Sequence, residues 1–199
     1  MLPNESNFFC CEKAGGVTIL RLSSRDGTNR LSRECVCAIT EAVAELEPHA
    51  LPLIIAGNHR FFSAGAELSE IASLTGPEAW RFSQMGQSLM NAIENFPAPV
   101  YAAIEGYCVG GGLDLALACH RRIASSSAVF GHRGAALGLI TGWGGTQRLP
   151  RLIGKAKALE MLVAAEKLHA AEALRVGLVE AVVDNPVEEA MCRLTGGAP

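Results

Sequence analysis

Three consecutive glycines, Gly110, Gly111 and Gly112, stand between a short apolar run and a segment of helical character in the stretch EGYCVGGGLDLALACH, residues 105–120. Glycine loses more conformational freedom on folding than any other residue. Three in a row mark a place where backbone must approach something closely or take φ/ψ values closed to other residues. At the start of a helix, free N–H groups and the positive end of the macrodipole point outward, and here no side chain screens them. The run is not a nucleotide loop: Gly110-Gly111-Gly112-Leu113-Asp114-Leu115 fails G-x-G-x-x-G at its third glycine, and no G-K-[ST] tripeptide occurs in the chain. What remains is a set of backbone donors suited to a developing oxyanion. A second loop, Phe62-Ser63-Ala64-Gly65-Ala66-Glu67-Leu68, has the same design. Small residues and one glycine again separate a strand from a helical segment.

Around these loops, short apolar runs alternate with helical patterns. Val17–Leu22 reads as a strand running into the turn-rich 23–29. Ser32 reads as the N-cap of a helix whose Val36, Ile39, Val43 and Leu46 recur at helical spacing up to Pro48. Leu51–Ala56 is apolar enough for a strand buried on both faces. Residues 77–95 read as a helix closed by Pro97 and Pro99, and Val100–Ile104 as a strand closed by the three glycines. A helix over 112–120, a strand over Arg122–Ala124 and a short strand at Val129–Phe130 follow. After Gly145 the pattern gives helices at Thr146–Leu149, Lys155–Glu166 and Ala170–Arg175, a strand at Leu178–Val183 and a helix at Val187–Leu194. This order predicts a right-handed, wound α/β core over residues 1–150 with a helical region over 151–199.

A chain of 199 residues with this apolar content can bury a sizeable core. Its net charge of −3, with no block of Lys or Arg, gives no electrostatic footprint for nucleic acid or an anionic membrane, and favours a small-molecule partner. MLPNESNFFCCEK lacks a basic n-region followed by an apolar run, and later apolar stretches are broken by residues such as Glu105 and Glu160. A cytoplasmic protein is expected. Seven cysteines without C-x-x-C spacing and five scattered histidines predict reduced thiols and no metal site.

Taken together, N-R-L-S (29–32), F-F-S-A-G-A-E-L (61–68), P-V-Y-A-A-I-E-G-Y (99–107), V-G-G-G-L-D-L-A-L-A-C (109–119) and L-G-L-I-T-G-W-G-G-T-Q-R-L-P-R-L-I-G (137–154) resemble the crotonase (enoyl-CoA hydratase/isomerase) superfamily. The resemblance implies a ββα superhelix core. It also implies that the backbone N–H groups of Ala66 and Gly111 form an oxyanion hole for the thioester carbonyl of an acyl-CoA, with Asp114 as general base. Ala64, Leu68, Gly110, Gly134 and Trp143 are the implied substrate-binding residues, and Arg25 is the implied contact to CoA phosphate. No cofactor is implied, since coenzyme A arrives as part of the substrate. A homo-oligomer, trimer or hexamer, is expected.

The chain also departs from the family pattern. Hydratases of the family use two carboxylates; the first position is Asp114, on a shorter stem, and the second falls on Gly134. The further carboxylates of dienoyl-CoA isomerases would fall on Gly134 and Gly142. Asp114 can instead be read as a helix-start aspartate that tethers backbone N–H groups. His132 and Arg133 are expected to be solvated or bonded to backbone, with proton transfer or orientation of a substrate carboxylate as the alternative. Glu67 is expected to pin its own loop, and Trp143 to wall the pocket or fill the core. Family members continue through further C-terminal helices, so residues 151–199 read as a shortened region. The reactions implied are those of a hydratase or isomerase. A decarboxylase or isomerase using one acid/base, or a noncatalytic acyl-CoA-binding homologue, are the alternatives.

Overall fold

Extended apolar runs present successive side chains to opposite faces, and that alternation builds the central sheet. The computed structural model describes residues 6–196. The chain begins as a hairpin, β1 (Phe9–Ala14) and β2 (Val17–Leu22), and continues through β3 (Arg30–Leu31) into α1 (Arg33–Leu46). The Ser32 side chain accepts from the Cys35 amide at 3.2 Å, capping α1 where the sequence calls for it. Next come β4 (Leu53–Ala56), β5 (Phe61–Ser63), β6 (Gly65–Ala66), α2 (Leu68–Ala72) and α3 (Gly76–Glu94). A third round supplies β7 (Val100–Ile104), β8 (Tyr107–Val109) and α4 (Gly111–Ala118). A fourth supplies β9 (Arg121–Ala124), β10 (Val129–Gly131), a 3-10 turn over Arg133–Leu137 and α5 (Gly145–Ile153). The remainder is α6 (Lys155–Val163), β11 (Leu168–His169), α7 (Ala170–Arg175), β12 (Ala181–Val182) and α8 (Pro186–Thr195).

Each round sends its first strand to a six-stranded sheet, ordered β1-β2-β4-β7-β9-β12. Its second strand goes to a smaller sheet, ordered β11-β10-β8-β5, or pairs as β3 with β6. This is a ββα superhelix. All neighbours in the large sheet are parallel except the opening hairpin. Leu20, Leu22, Leu53, Ile55, Val100, Ala102 and Ile104 face the main core with α1, α3 and α4. Val17, Ile19, Ile54, Ala56 and Ala103 face the other way, against Ala190, Met191 and Leu194 of α8. Burial on both faces explains why these strands read as continuous apolar runs.

Several elements differ from the sequence reading for local reasons. β1 has no counterpart in it, because FCCEKA mixes charge and cysteine where β-branched residues would signal a strand. The three glycines do not close β7; β8 intervenes, three residues long and too short to show a period. The strand read over Leu178–Val183 shrinks to Ala181–Val182, since the Leu178 and Val179 amides both donate to Ala173 O and close α7 instead. The helix read over Thr146–Leu149 runs on to Ile153 through Pro150. The one read to Glu166 stops at Val163, where Ala165 takes a φ of 52°.

Candidate active site

β5 and β8 lie side by side and parallel, with Phe61 opposite Tyr107 and Ser63 opposite Cys108. The chain leaves both strands at the same end of the small sheet, so the two glycine loops start as neighbours. Contact between them is backbone to backbone. A methyl group on Gly65 would sit 2.6 Å from Val109 O and 3.1 Å from Gly111 N. One on Gly112 would sit 2.7 Å from Ser63 O. Any side chain at these points would drive the loops apart, which is the physical reason for the glycines.

Buried polar side chains fix the first loop. Ser63 Oγ donates to Asn29 O at 2.7 Å and accepts from Gly65 N at 3.1 Å, while Asn29 Nδ2 donates to the carbonyls of Phe61 and Phe62. The Glu67 amide donates to Leu31 O across the β3–β6 pair. Successive strand amides point in opposite directions, so Ala66 N–H is turned away from β3. A methyl on Gly111 would lie 3.3 Å from that same Ala66 nitrogen. Gly111 begins α4, and its N–H belongs to the turn that no intrahelical carbonyl can reach. Two amides thus converge at the positive end of a helix.

They open on a cavity of about 360 Å³. Ala64, Ala66, Leu68, Gly110, Gly111, Gly134 and Trp143 all line it, joined by the apolar side chains of Ile71, Leu74, Phe82, Leu137, Leu139 and Ile140. None of the lining residues carries a carboxylate. Trp143 is both wall and core: its ring packs on Phe82 at 5.3 Å, its Nε1 donates to Phe82 O, and it is almost fully buried. Arg25 does not line the cavity; it is exposed on the loop after β2. Glu67 accepts from the Ser69 amide and hydroxyl as the N-cap of α2, holding its carboxyl below the usual range.

Asp114 is 1% exposed and lies behind the cavity wall. Its side chain does not tether the first turn of its own helix. Oδ2 accepts from Thr141 Oγ1, and Oδ1 faces His132 Nε2 at 3.4 Å. Gly145 makes room for this pair: a methyl there would lie 2.3 Å from Oδ1 and 2.7 Å from Nε2. Burial pushes the Asp114 carboxyl up to about 7 against the opposing pull of Thr141, Arg148 and the Gly145 amide, which forms no hydrogen bond to Oδ1. Burial pushes the His132 imidazole down to about 4. Oδ1 and Nε2 are, among the described residues, the two fully buried side-chain polar atoms without a hydrogen-bond partner.

His132 corrects the sequence reading. It is 4% exposed, and its Nε2 has no hydrogen-bond partner among the described residues, whereas its neighbour Arg133 is exposed as expected. Both His132 and Thr141 line the cavity. Thr141 escaped the sequence reading because nothing in LGLITGWGG signals a hydroxyl aimed at a carboxylate 27 residues earlier. Gly134 lies in the 3-10 turn at an ordinary φ, and a methyl on it would meet Leu139 O at 2.9 Å.

The sequence model of the enoyl-CoA hydratase/isomerase family matches residues 12–194. A probable enoyl-CoA hydratase of Bacillus subtilis is 46% identical over 154 residues, 76% of this chain and 60% of its own length. A crotonyl-CoA hydratase of Syntrophomonas wolfei is 39% identical over 86% of this chain and 67% of its own length. This chain thus spans about three fifths to two thirds of these two relatives. The crystal structure of an enoyl-CoA hydratase from Bacillus anthracis superposes with a TM-score of 0.89 at 34% identity, covering 95% of this chain and 76% of that one. The sequence match runs through both glycine loops, Asp114 and the Trp143 segment, and the chain belongs to the enoyl-CoA hydratase/isomerase family.

Proposed function

We propose that this protein acts on an acyl-CoA thioester in the manner of an enoyl-CoA hydratase or isomerase. Ala66 and Gly111 hold the thioester oxygen, and Asp114 is the final acceptor of an α-proton. The observation that carries the reading is the convergence of the two glycine loops, with the Ala66 nitrogen 3.3 Å from the side-chain position of Gly111. Two fixed amides and a helix dipole stabilise an enolate, and removing one such donor typically costs about 10²–10³ in rate. The apolar wall of Leu68, Ile71, Leu74 and Ile140 suits an acyl chain, and Gly110 and Ala64 let the thioester approach backbone. No cofactor enters the scheme, because coenzyme A is carried by the substrate.

The absence of a lining carboxylate separates the family's two reactions. Conjugate hydration needs one group to deprotonate water and another to protonate the α-carbon, whereas shifting a double bond needs one group that takes a proton and returns it. Isomerisation of a 3-enoyl-CoA to the conjugated 2-enoyl-CoA is therefore expected to outpace hydration of a short 2-enoyl-CoA by about tenfold or more. Absorbance of the conjugated thioester, gained in one assay and lost in the other, measures both. Gly134, where a carboxylate would complete a hydratase, favours a second reading as a noncatalytic acyl-CoA binder. Tight thioester binding with neither absorbance change would establish that reading.

A further inference from the structure

The Asp114–His132 contact is not explained by enolate binding alone. Two buried polar atoms without partners face each other at 3.4 Å, in a space that Gly145 leaves open for them. Leaving two polar groups unsatisfied costs stability, and one proton between them would satisfy both. Asp114 has no direct access to the cavity, since Oδ2 is held by Thr141 and Oδ1 by the approach of His132. His132 does line the cavity, and with Nε2 turned to Asp114 its other ring nitrogen, Nδ1, is the one left for a substrate.

We propose that His132 is the proton carrier between the cavity and Asp114, in the place where the sequence lacks a second carboxylate. The proposal rests on the acyl-CoA reading above. The transfer balances without a charged imidazole. The α-carbon C–H bond breaks and its electron pair moves into the thioester as an enolate, held by the Ala66 and Gly111 amides. The released proton bonds to His132 Nδ1 as the Nε2 proton passes to Asp114 Oδ1. The ring is neutral before and after, the carboxylate becomes a carboxylic acid, and the negative charge moves from Asp114 to the enolate. Return of the proton by the reverse route to the γ-carbon completes an isomerisation.

The titration of the pair agrees with this direction: the imidazole resists protonation while the carboxyl accepts a proton near neutrality. The groups facing the pair are Thr141, the Gly145 amide and Arg148 from the loop and α5, and Cys108 from β8. Arg148 is itself paired with Glu94 of α3, and burial holds the Cys108 thiol protonated.

The test is exchange of α-protons of butyryl-CoA in D₂O, followed by NMR from pH 5 to 9. Wild-type exchange is expected to rise with pH through about 7, as Asp114 ionises. H132Q keeps an amide near the Nε2 position but cannot pass a proton, so exchange is expected to fall roughly 10²-fold or more, with thioester affinity within a few-fold. In H132A, imidazole must restore exchange and 1-methylimidazole must not, since methylation blocks one of the two nitrogens a relay requires. Wild-type rates in H132Q, no recovery of H132A with imidazole, or equal recovery with both additives would overturn the carrier role. A wild-type protein that exchanges nothing overturns the enolate reading, and the carrier role with it.

Discussion

Asp114 and His132 exchange their ordinary proton preferences when the chain folds, and stability should record it. In the unfolded chain, between pH 3.8 and 6.5, the carboxylate is ionised and the imidazole protonated. In the folded chain, between about 4 and about 7, the carboxyl holds the proton and the imidazole is neutral. Each state binds one proton across the shared window, so the pair contributes almost no pH dependence there. Removing one partner exposes the other. H132Q leaves a carboxyl raised on folding, whose stabilisation is fully present below pH 3.8 and lost as pH rises through about 7. D114N leaves an imidazole depressed on folding, so stability is lost as pH falls from 6.5 towards 4. Denaturant unfolding from pH 4.5 to 6 should give slopes of opposite sign, each approaching about 1.4 kcal/mol per pH unit. Equal slopes in the two variants would remove the physical basis for pairing these groups. Asp114 was legible in the sequence because it follows a distinctive glycine run. His132 was legible only as one alternative beside Arg133, because FGHRG carries no sign that one of the two will be buried and the other exposed.

One side chain reaches both α3 and α4. Trp143 packs against both helices at a glycine on each: a methyl on Gly86 would lie 2.2 Å from its ring and one on Gly111 2.5 Å. Gly86 has an ordinary helical φ, so only the tryptophan demands glycine there. Gly86→Ala is expected to destabilise by about 1–3 kcal/mol through overpacking. The displaced ring would also narrow the cavity it lines, raising KM for an acyl-CoA more than it lowers kcat. Thermal unfolding with steady-state kinetics checks both, and a variant of wild-type stability would mean that Trp143 has room to move. At this scale the sequence shows the long elements best. α1 and α3 carry enough residues for a period of 3.6 to emerge, and β2, β4 and β7 stand out as apolar runs. β3, β6, β8 and β11, of two or three residues each, are defined by their partners, and a partner is not written in the local pattern.

For the whole molecule, topology converts two weak local signals into one site. Successive rounds of the superhelix return β5, β8 and β10 side by side to the small sheet, so β5 and β8, over forty residues apart, release their loops at one end. The loops could be read separately in the sequence, but their convergence follows only from the parallel pairing. The buried Arg122 guanidinium ties this framework together, donating to the carbonyls of Cys119 and Ala116 at the end of α4 and to Leu178 before β12. The framework thereby holds the backbone donors of α4 fixed relative to the large sheet, as preorganised stabilisation of an enolate requires. The most direct measurement of that claim is the rate at which wild-type protein exchanges the α-protons of a saturated acyl-CoA, compared with the corresponding free acid. Exchange of the thioester well above the buffer rate, with none of the acid, is the result predicted; a thioester that binds and keeps its α-protons at the buffer rate would contradict it.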